Sequence, residues 1–460
     1  LNTAMHDMMC GACISLNLCP LLSQGQIEAL EYHATEELQN LYLPKLISGE
    51  WTGTMNLTEP QAGSDVGALT SKAELQADGT YKISGQKIFI TWGEHDVAEN
   101  ICHLVLARLP DGKSGPKGIS LFLVPKFIPN ADGSLGVRND LRCVSLEHKL
   151  GIHGSPTAVM EFSGATGWLV GQEHNGMACM FTMMNNARLA VGMQGVGVAE
   201  GAYQHALAYA MDRKQGRAMI ADGTGAIIDH ADVRRMLAQM KSEIFAARAI
   251  GVACAVAIDM TKATGDADWR ARAALLTPIT KSFGSDTGVA VADLGVQIHG
   301  GMGFVEETAA AQYLRDVRIT PIYEGTNGIQ AMDLVARKMM DGGAAAFALM
   351  DEMVTLASAS SSKLAVAVLA SIVELRSTTE WLLTQELNDR FAGAVAYQKA
   401  FARVLGGYFH LVAAMSGKGK RVRMATIYIN SLLPEYMALC AQARSGAGDL
   451  YALELDDFAA

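Results

Sequence analysis

Tyr323-Glu324-Gly325-Thr326-Asn327-Gly328 follows directly on Arg315-Asp316-Val317-Arg318-Ile319-Thr320-Pro321-Ile322. Pro321 biases the residue before it toward extended backbone, so a helix arriving here stops. Gly325 lets the chain turn sharply beside the carboxylate. A Glu held between an aromatic ring and a Gly-Thr turn is a candidate general base, because an aromatic neighbour and partial burial disfavour its charged form and raise its pKa. A solvated loop Glu has the same local signature, so the reading turns on what else the chain contains.

The chain has 460 residues, enough for two to four domains and a large core. Half the residues are hydrophobic and 18% are charged, a globular composition, and the net charge of −10 opposes a nucleic-acid partner. No uninterrupted run of about 18 apolar residues occurs, so no membrane span is expected, and Leu18 to Leu22 is far too short for one. Eight cysteines in a chain this long do not make a disulfide scaffold. Cys10 and Cys13 form a C-x-x-C without a second pair, a spaced His pair or a βαβ context, which leaves buried free thiols on a helix. A reducing cytoplasm follows, with a mitochondrial matrix as the variant if a transit peptide has been lost. The start at Leu1 is read as an incomplete helical domain.

Residues 1–50 read as helical, with Ile27, Leu30, Ala34, Leu38 and Leu41 at helical spacing and Pro44 and Gly49 at the exit. From Trp51 to about Val170 the character changes. Tyr81–Ser84 alternates, Gly85 is expected to turn the chain, and Lys87–Thr91 follows as a second strand. Ile101–Ala107, Gly118–Val124 and Ala158–Phe162 read as further strands, so 51–172 is a β domain, barrel-like or a pair of sheets. Met180–Met211, Val233–Met260 and Leu275–Leu294 carry long apolar stripes, and 173–340 reads as a helical bundle holding the glutamate. In 341–460, Leu364–Leu387, Val395–Met415 and Ala425–Leu439 read as an additional helical domain. The fold class is multidomain α+β.

With Val296-Gln297-Ile298-His299-Gly300-Gly301-Met302-Gly303-Phe304, Met55-Asn56-Leu57-Thr58-Glu59-Pro60-Gln61-Ala62-Gly63-Ser64-Asp65 and Lys87-Ile88-Phe89-Ile90-Thr91, the Glu324 stretch completes four ordered blocks. In that order and spacing they resemble the acyl-CoA dehydrogenase flavoproteins, from Trp51 to about Lys338. The Ser155-Pro156-Thr157 block and the helical tail look most like the larger bacterial group that includes 3-(methylthio)propanoyl-CoA dehydrogenases.

The resemblance implies FAD and a set of site residues. Met55, the Leu57 backbone and the Thr58 side chain would meet the isoalloxazine pyrimidine. Gly63 and Ser64 would lie by the pyrophosphate, Ser64 also close to the acyl-CoA arm. Phe89, Ile90 and Thr91 would flank the ring, where many members have Trp in place of Phe89. Thr326 would make a flavin contact. Asn185, where many members have Asp, and Arg188 would lie beside the CoA moiety, and Tyr323 and Gly325 would line the acyl site. Arg213, Gln297, Gly300 and Gly301 would reach the FAD of a neighbouring subunit. The segment Gly195–Gly201 invites a dinucleotide-fingerprint reading, but it lies inside a helical pattern with no strand before it, and close helix packing explains it better. Lys418, Lys420, Arg421 and Arg423 form a basic cluster read as a solvated turn.

The implied reaction turns an acyl-CoA into trans-2-enoyl-CoA. An α-proton of a thioester is weakly acidic and needs a positioned base and a stabilised enolate oxygen. No side chain accepts a hydride, so a cofactor must, and flavin N5 is implied. Glu324 is the base, and its own backbone N–H would be one donor to the thioester oxygen. An electron-transfer flavoprotein as acceptor and a homodimer or dimer of dimers complete the implied set. Medium- or long-chain acyl-CoA substrates, a flavin oxidase and a nucleic-acid-binding protein on the same fold stand as alternatives.

Overall fold

The computed structural model describes residues 1–417 and 419–459, apart from the side chains of Asn185 and Asn186. Its contacts divide the chain into two units, Ser15–Ala187 and, separately, Leu1–Ile14 with Arg188–Ala460. The chain opens with α1 (Asn2–His33), bent at Cys13, and α2 (Glu36–Ser48). The Thr35 hydroxyl accepts from the Leu38 amide to start α2, and Gly49 at φ 82° ends it.

The first unit is built on strands β1 (Trp51–Asn56), β2 (Lys72–Leu75), β3 (Tyr81–Thr91), β4 (Asn100–Arg108), β5 (Ile119–Pro125), β6 (Phe127–Pro129), β7 (Leu135–Arg138), β8 (Leu141–Leu146) and β9 (Thr157–Val170). β4 and β5 are buried almost throughout, which is why they read as apolar runs without alternation. β4 pairs with β1 in parallel and with β5 antiparallel, β5 with β9, β9 with β3 and β3 with β2. The single pair Lys72–Arg108 brings β2 back to β4, and β8 lies along β9. One face of this sheet encloses Ile83, Val105, Phe122 and Met160, while Leu104, Leu121, Trp51 and Leu30 of α1 form a second core.

Gly85 does not turn the chain. β3 runs unbroken through it, and the turn lies earlier, where the Gln76 amide meets Thr80 O around Gly79. Gly85 is required for close approach instead: at φ 149°, an added Cβ would stand 2.3 Å from the Ser71 hydroxyl.

The second unit is helical. α3 (Gly176–Asp212, in this unit from Arg188) is followed by α4 (Ala231–Thr264), α5 (Ala267–His299), α6 (Ala310–Val317) and α7 (Asn327–Val335). The tail adds α8 (Ala344–Ser358), α9 (Lys363–Leu383), α10 (Leu387–Ser416), α11 (Gly419–Ile427), α12 (Glu435–Ala443) and α13 (Gly448–Ala452). Met193, Met240, Ile250 and Leu276 share one core with Met350, Ile372, Phe401 and Tyr428 of the tail. The glycine-rich run on α3 is a packing seam: a Cβ on Gly195 would lie 2.2 Å from Gly284 O of α5.

Several expectations need correction. Cys13 is exposed, at the α1 bend, while Cys10 and Cys19 are buried; none of the eight cysteines is in a disulfide. Among the described residues, α1 and α4 are long and apolar enough to cross a membrane by length and composition alone, a test that the core helices of soluble proteins also pass, so the expectation of no span is not overturned. One stripe of α4 is spent in the helical core through Met240, Ile244, Ala247 and Ile250. Ala425–Leu439 is not one helix: a π turn at Tyr428–Leu432 and Pro434 break it. Lys420, Arg421 and Arg423 lie on α11 rather than in a turn, and Lys418 falls outside the described residues.

Candidate active site

In the helical unit, α6 ends at Val317 and the chain reaches Pro321 before turning. Glu324 takes φ 56° and Gly325 φ 83°. A left-handed non-glycine residue is strained, and such strain persists where the surroundings over-determine it. Those surroundings are visible. The Gln330 side chain donates to Glu324 O at 3.2 Å, and the Asn327 amide donates to Pro321 O at 3.0 Å. A side chain at Gly325 would press within 2.7 Å of Gln330 Nε2. Thr326 caps α7 by accepting from the Ile329 amide at 3.3 Å. The Tyr323 hydroxyl donates to Gln194 Oε1 on α3, and burial holds that phenol well above its ordinary pKa.

Glu324 Oε2 is buried and has no hydrogen-bond partner among the described residues. Burial pushes the carboxyl up to about 7, against the opposing charges of Arg188 and Lys281. Its backbone amide donates to no backbone carbonyl among the described residues. Arg188 is buried on α3, with Nη1 3.8 Å from Asp333 Oδ2 and Nε without a partner. Asp333 is also paired with Arg337 Nε at 2.5 Å. Lys281, fully buried on α5, donates to Asn327 Oδ1 at 2.9 Å, and burial lowers its pKa to about 8.

Arg188, Tyr323, Glu324, Gly325 and Thr326 are therefore brought together. Arg213, Gln297, Gly300 and Gly301 are not among them. They are exposed at the other end of the unit, where the Tyr209 ring meets His299 at 4.4 Å. At about 1.5 Å per residue of α3, Arg188 and Arg213 stand roughly 36 Å apart. Gly300, at φ 58°, donates its amide to Gln297 O and closes α5, the structural role its position predicts. The Asn185 side chain lies outside the described residues.

In the sheet unit, Met55 and Thr58 are half-buried, Leu57 is buried, and Gly63 and Ser64 are exposed in the loop after β1. Ile90 is buried, Thr91 half-buried, and Phe89 is 60% exposed at φ 60°, on a bulge of β3 against β9. A bulge re-aims side chains, and here it turns an aromatic ring out of the core. The two blocks are tied together: the Ile88 amide donates to Thr58 O at 2.9 Å, and Lys87 Nζ donates to Leu57 O at 3.0 Å. Lys87 also meets Glu59 Oε1 at 2.8 Å, with both side chains buried. Glu59 further accepts from the Thr70 and Ser71 amides at 2.7 and 3.1 Å. Burial would raise the Glu59 pKa, but Lys87 and these hydrogen bonds outweigh it and take it to about 2.

The Thr58 and Thr91 hydroxyls have no partner among the described residues. Two unspent hydroxyls, loop amides around Gly63 and an outward aromatic form a donor set that fits a flavin's ring and phosphates. Lys281, Gln194, Gln330, Glu59 and Lys87 were not among the expected site residues. Lys281 had one signal, a lone cation in the buried stripe Thr277, Lys281, Ser285.

A carboxyl with one buried, unpartnered oxygen and a raised pKa, facing the charges of Arg188 and Lys281, has the chemistry of a general base, and the sheet unit presents flavin-suited donors. The chain belongs to the acyl-CoA dehydrogenase family. Residues 54–165 match the acyl-CoA dehydrogenase middle domain, 174–340 the acyl-CoA dehydrogenase C-terminal domain and 346–454 the acetyl-CoA dehydrogenase C-terminal-like domain. It is 33% identical to an acyl-CoA dehydrogenase of Bacillus subtilis over 68% of this chain and 74% of that one. It is 53% identical to the 3-methylmercaptopropionyl-CoA dehydrogenase of Ruegeria pomeroyi over 74% of this chain, and spans 59% of that relative's length. In fold it is similar to an acyl-CoA dehydrogenase of Bacillus anthracis crystallised with FAD, with a TM-score of 0.73 at 22% identity over 94% of this chain and 74% of that one.

Proposed function

We propose that this chain dehydrogenates an acyl-CoA thioester between Cα and Cβ, with Glu324 as the base. The observation that carries the reading is the Glu324 carboxyl, with one buried oxygen lacking a partner among the described residues and a pKa raised to about 7. A base of that pKa is well matched to a reluctant carbon acid at neutral pH. Bound FAD supplies the hydride acceptor. Leu57, Thr58, Gly63, Ser64, Phe89 and Thr91 would hold it, and Thr326 would touch it. Glu324 takes the α-proton and becomes neutral. Its own N–H is the donor for the developing enolate oxygen. Tyr323, anchored on Gln194, and Gln330, bonded to Glu324 O, keep the carboxyl from swinging away.

The identity of 53% to the Ruegeria enzyme supports 3-(methylthio)propanoyl-CoA as substrate, with straight medium or long chains as the alternative. An electron-transfer flavoprotein is the proposed acceptor. The separation of Arg213 from Arg188 supports a homodimer, alone or paired into a tetramer. Eight cysteines, none of them in a disulfide, support a cytoplasmic setting. The ring of strand pairings supports reading the sheet as barrel-like, and the bounds of the family models support 51–172, 173–340 and 341–460 as domains.

Anaerobic titration of the FAD-loaded protein with a panel of saturated acyl-CoAs tests this. At least one should bleach the flavin, 3-(methylthio)propanoyl-CoA most readily, and Glu324→Gln should retain FAD but not bleach. Bleaching by the Gln variant would remove Glu324 from the role.

A further inference from the structure

Resting on the reading of Glu324 as base, we propose that Lys281 is its positioning residue: an ammonium buried under the Tyr323–Gly328 turn that fixes the turn through Asn327 and keeps the Glu324 carboxyl ionised. Lys281 is fully buried at the middle of α5. Of its three donors, the one partner among the described residues is Asn327 Oδ1 at 2.9 Å. A buried ammonium so sparsely bonded is costly unless an anion compensates it.

Asn327 stands three residues after Glu324 and is held at both ends of its amide. Its Nδ2 donates to Asp286 Oδ1 at 2.7 Å and to the Ser285 hydroxyl at 3.0 Å. Ser285 in turn donates to Lys281 O at 2.7 Å. One α5 turn thus grips the first residue of α7, and with it the strained backbone at Glu324.

The charges around Glu324 divide unevenly. From α3 comes Arg188, already facing Asp333 of α7, which is shared with Arg337. From α5 come Lys281 and Asp286, the latter hydrogen-bonded to Asn327 and near Lys399 of α10. From its own turn comes the neutral Tyr323. Arg188 therefore has a carboxylate of its own, while Lys281 has none in direct contact. Removing Lys281 leaves burial at Glu324 opposed by Arg188 alone. Desolvation makes the carboxylate a stronger base, and Lys281 opposes that rise so that a larger share of the base stays ionised at neutral pH.

The test is single-turnover flavin bleaching of the FAD-loaded enzyme against pH, in wild type, Lys281→Met, Lys281→Gln and Lys281→Arg. Gln keeps a donor for Asn327 without the charge, and covers the case in which Met does not fold. The acid limb in Met or Gln should move up by about one pH unit, so that bleaching at pH 6 falls about ten-fold and recovers at alkaline pH. Arg should leave the limb near its wild-type position. An unmoved limb in a folded, FAD-bound Gln or Met variant, or an equal loss at every pH, overturns the inference. Wild type that bleaches with no acyl-CoA at any pH would instead sink the base assignment and this inference with it.

Discussion

Glu324 combines two unfavourable features at one residue. Its left-handed backbone costs about 1 to 2 kcal/mol relative to an ordinary conformation. Burial then lifts its pKa from the ordinary 4.5 to about 7. The sign of the pH effect follows from linkage. A carboxyl with a raised folded-state pKa favours the fold when protonated, so its contribution is fully present below about pH 4.5 and is lost as pH rises through about 7. Glu324→Gln, which cannot ionise, should therefore gain stability over wild type between pH 5 and pH 8, by roughly 1 to 3 kcal/mol at the upper end. Thermal melts of both proteins across that range check it. A constant difference in Tm would mean that the carboxyl titrates as an ordinary surface group.

At the scale of elements, the Lys87–Glu59 pair joins the loop after β1 to β3. Breaking a buried pair from one side leaves an uncompensated charge, whereas replacing both partners does not. Lys87→Met should cost about 3 to 5 kcal/mol in urea unfolding, and Lys87→Met with Glu59→Gln should recover much of it. FAD affinity should stay weakened in the double variant, because Leu57 O has lost its Lys87 donor. Full recovery of FAD binding would mean that the pair serves stability alone. Much of this element-scale architecture was legible in sequence. Long apolar stripes located α3, α4 and α5, and ordered blocks located the loop, strand and turn that hold the candidate residues of each unit. What was not legible has physical causes. Gly85 serves close approach to Ser71, a tertiary contact that looks like turn chemistry when read locally. β2, Lys72–Leu75, is short and mostly exposed, so its apolar signal is weak. The bulge that turns Phe89 outward depends on register against β9. Lys281 is set apart from a solvent-facing helix cation by its burial against Asn327, a tertiary contact that local sequence does not encode.

At the scale of the whole molecule, two groups of functional candidates stand apart, one part-way along α3 and one just past its end. Arg188 faces the Glu324 turn, and Arg213 lies about 36 Å further along with exposed Gln297, Gly300 and Gly301. Beside that second group, Phe304 is 91% exposed and Met302 is also solvent-facing, an apolar surface next to cations and glycine amides. A two-fold dimer in which each copy lends its Arg213 end to the partner's flavin site would bury this surface and employ both groups. Complementation tests it directly. Arg213→Glu and Glu324→Gln proteins, each inactive alone, are co-expressed with different tags, and the doubly tagged heterodimer is isolated. If Arg213 acts across the interface, one of the two sites in that heterodimer has both an intact Glu324 and an intact Arg213, so about half of the wild-type activity returns. If Arg213 serves its own chain, each protomer remains defective and the heterodimer stays as inactive as its parents.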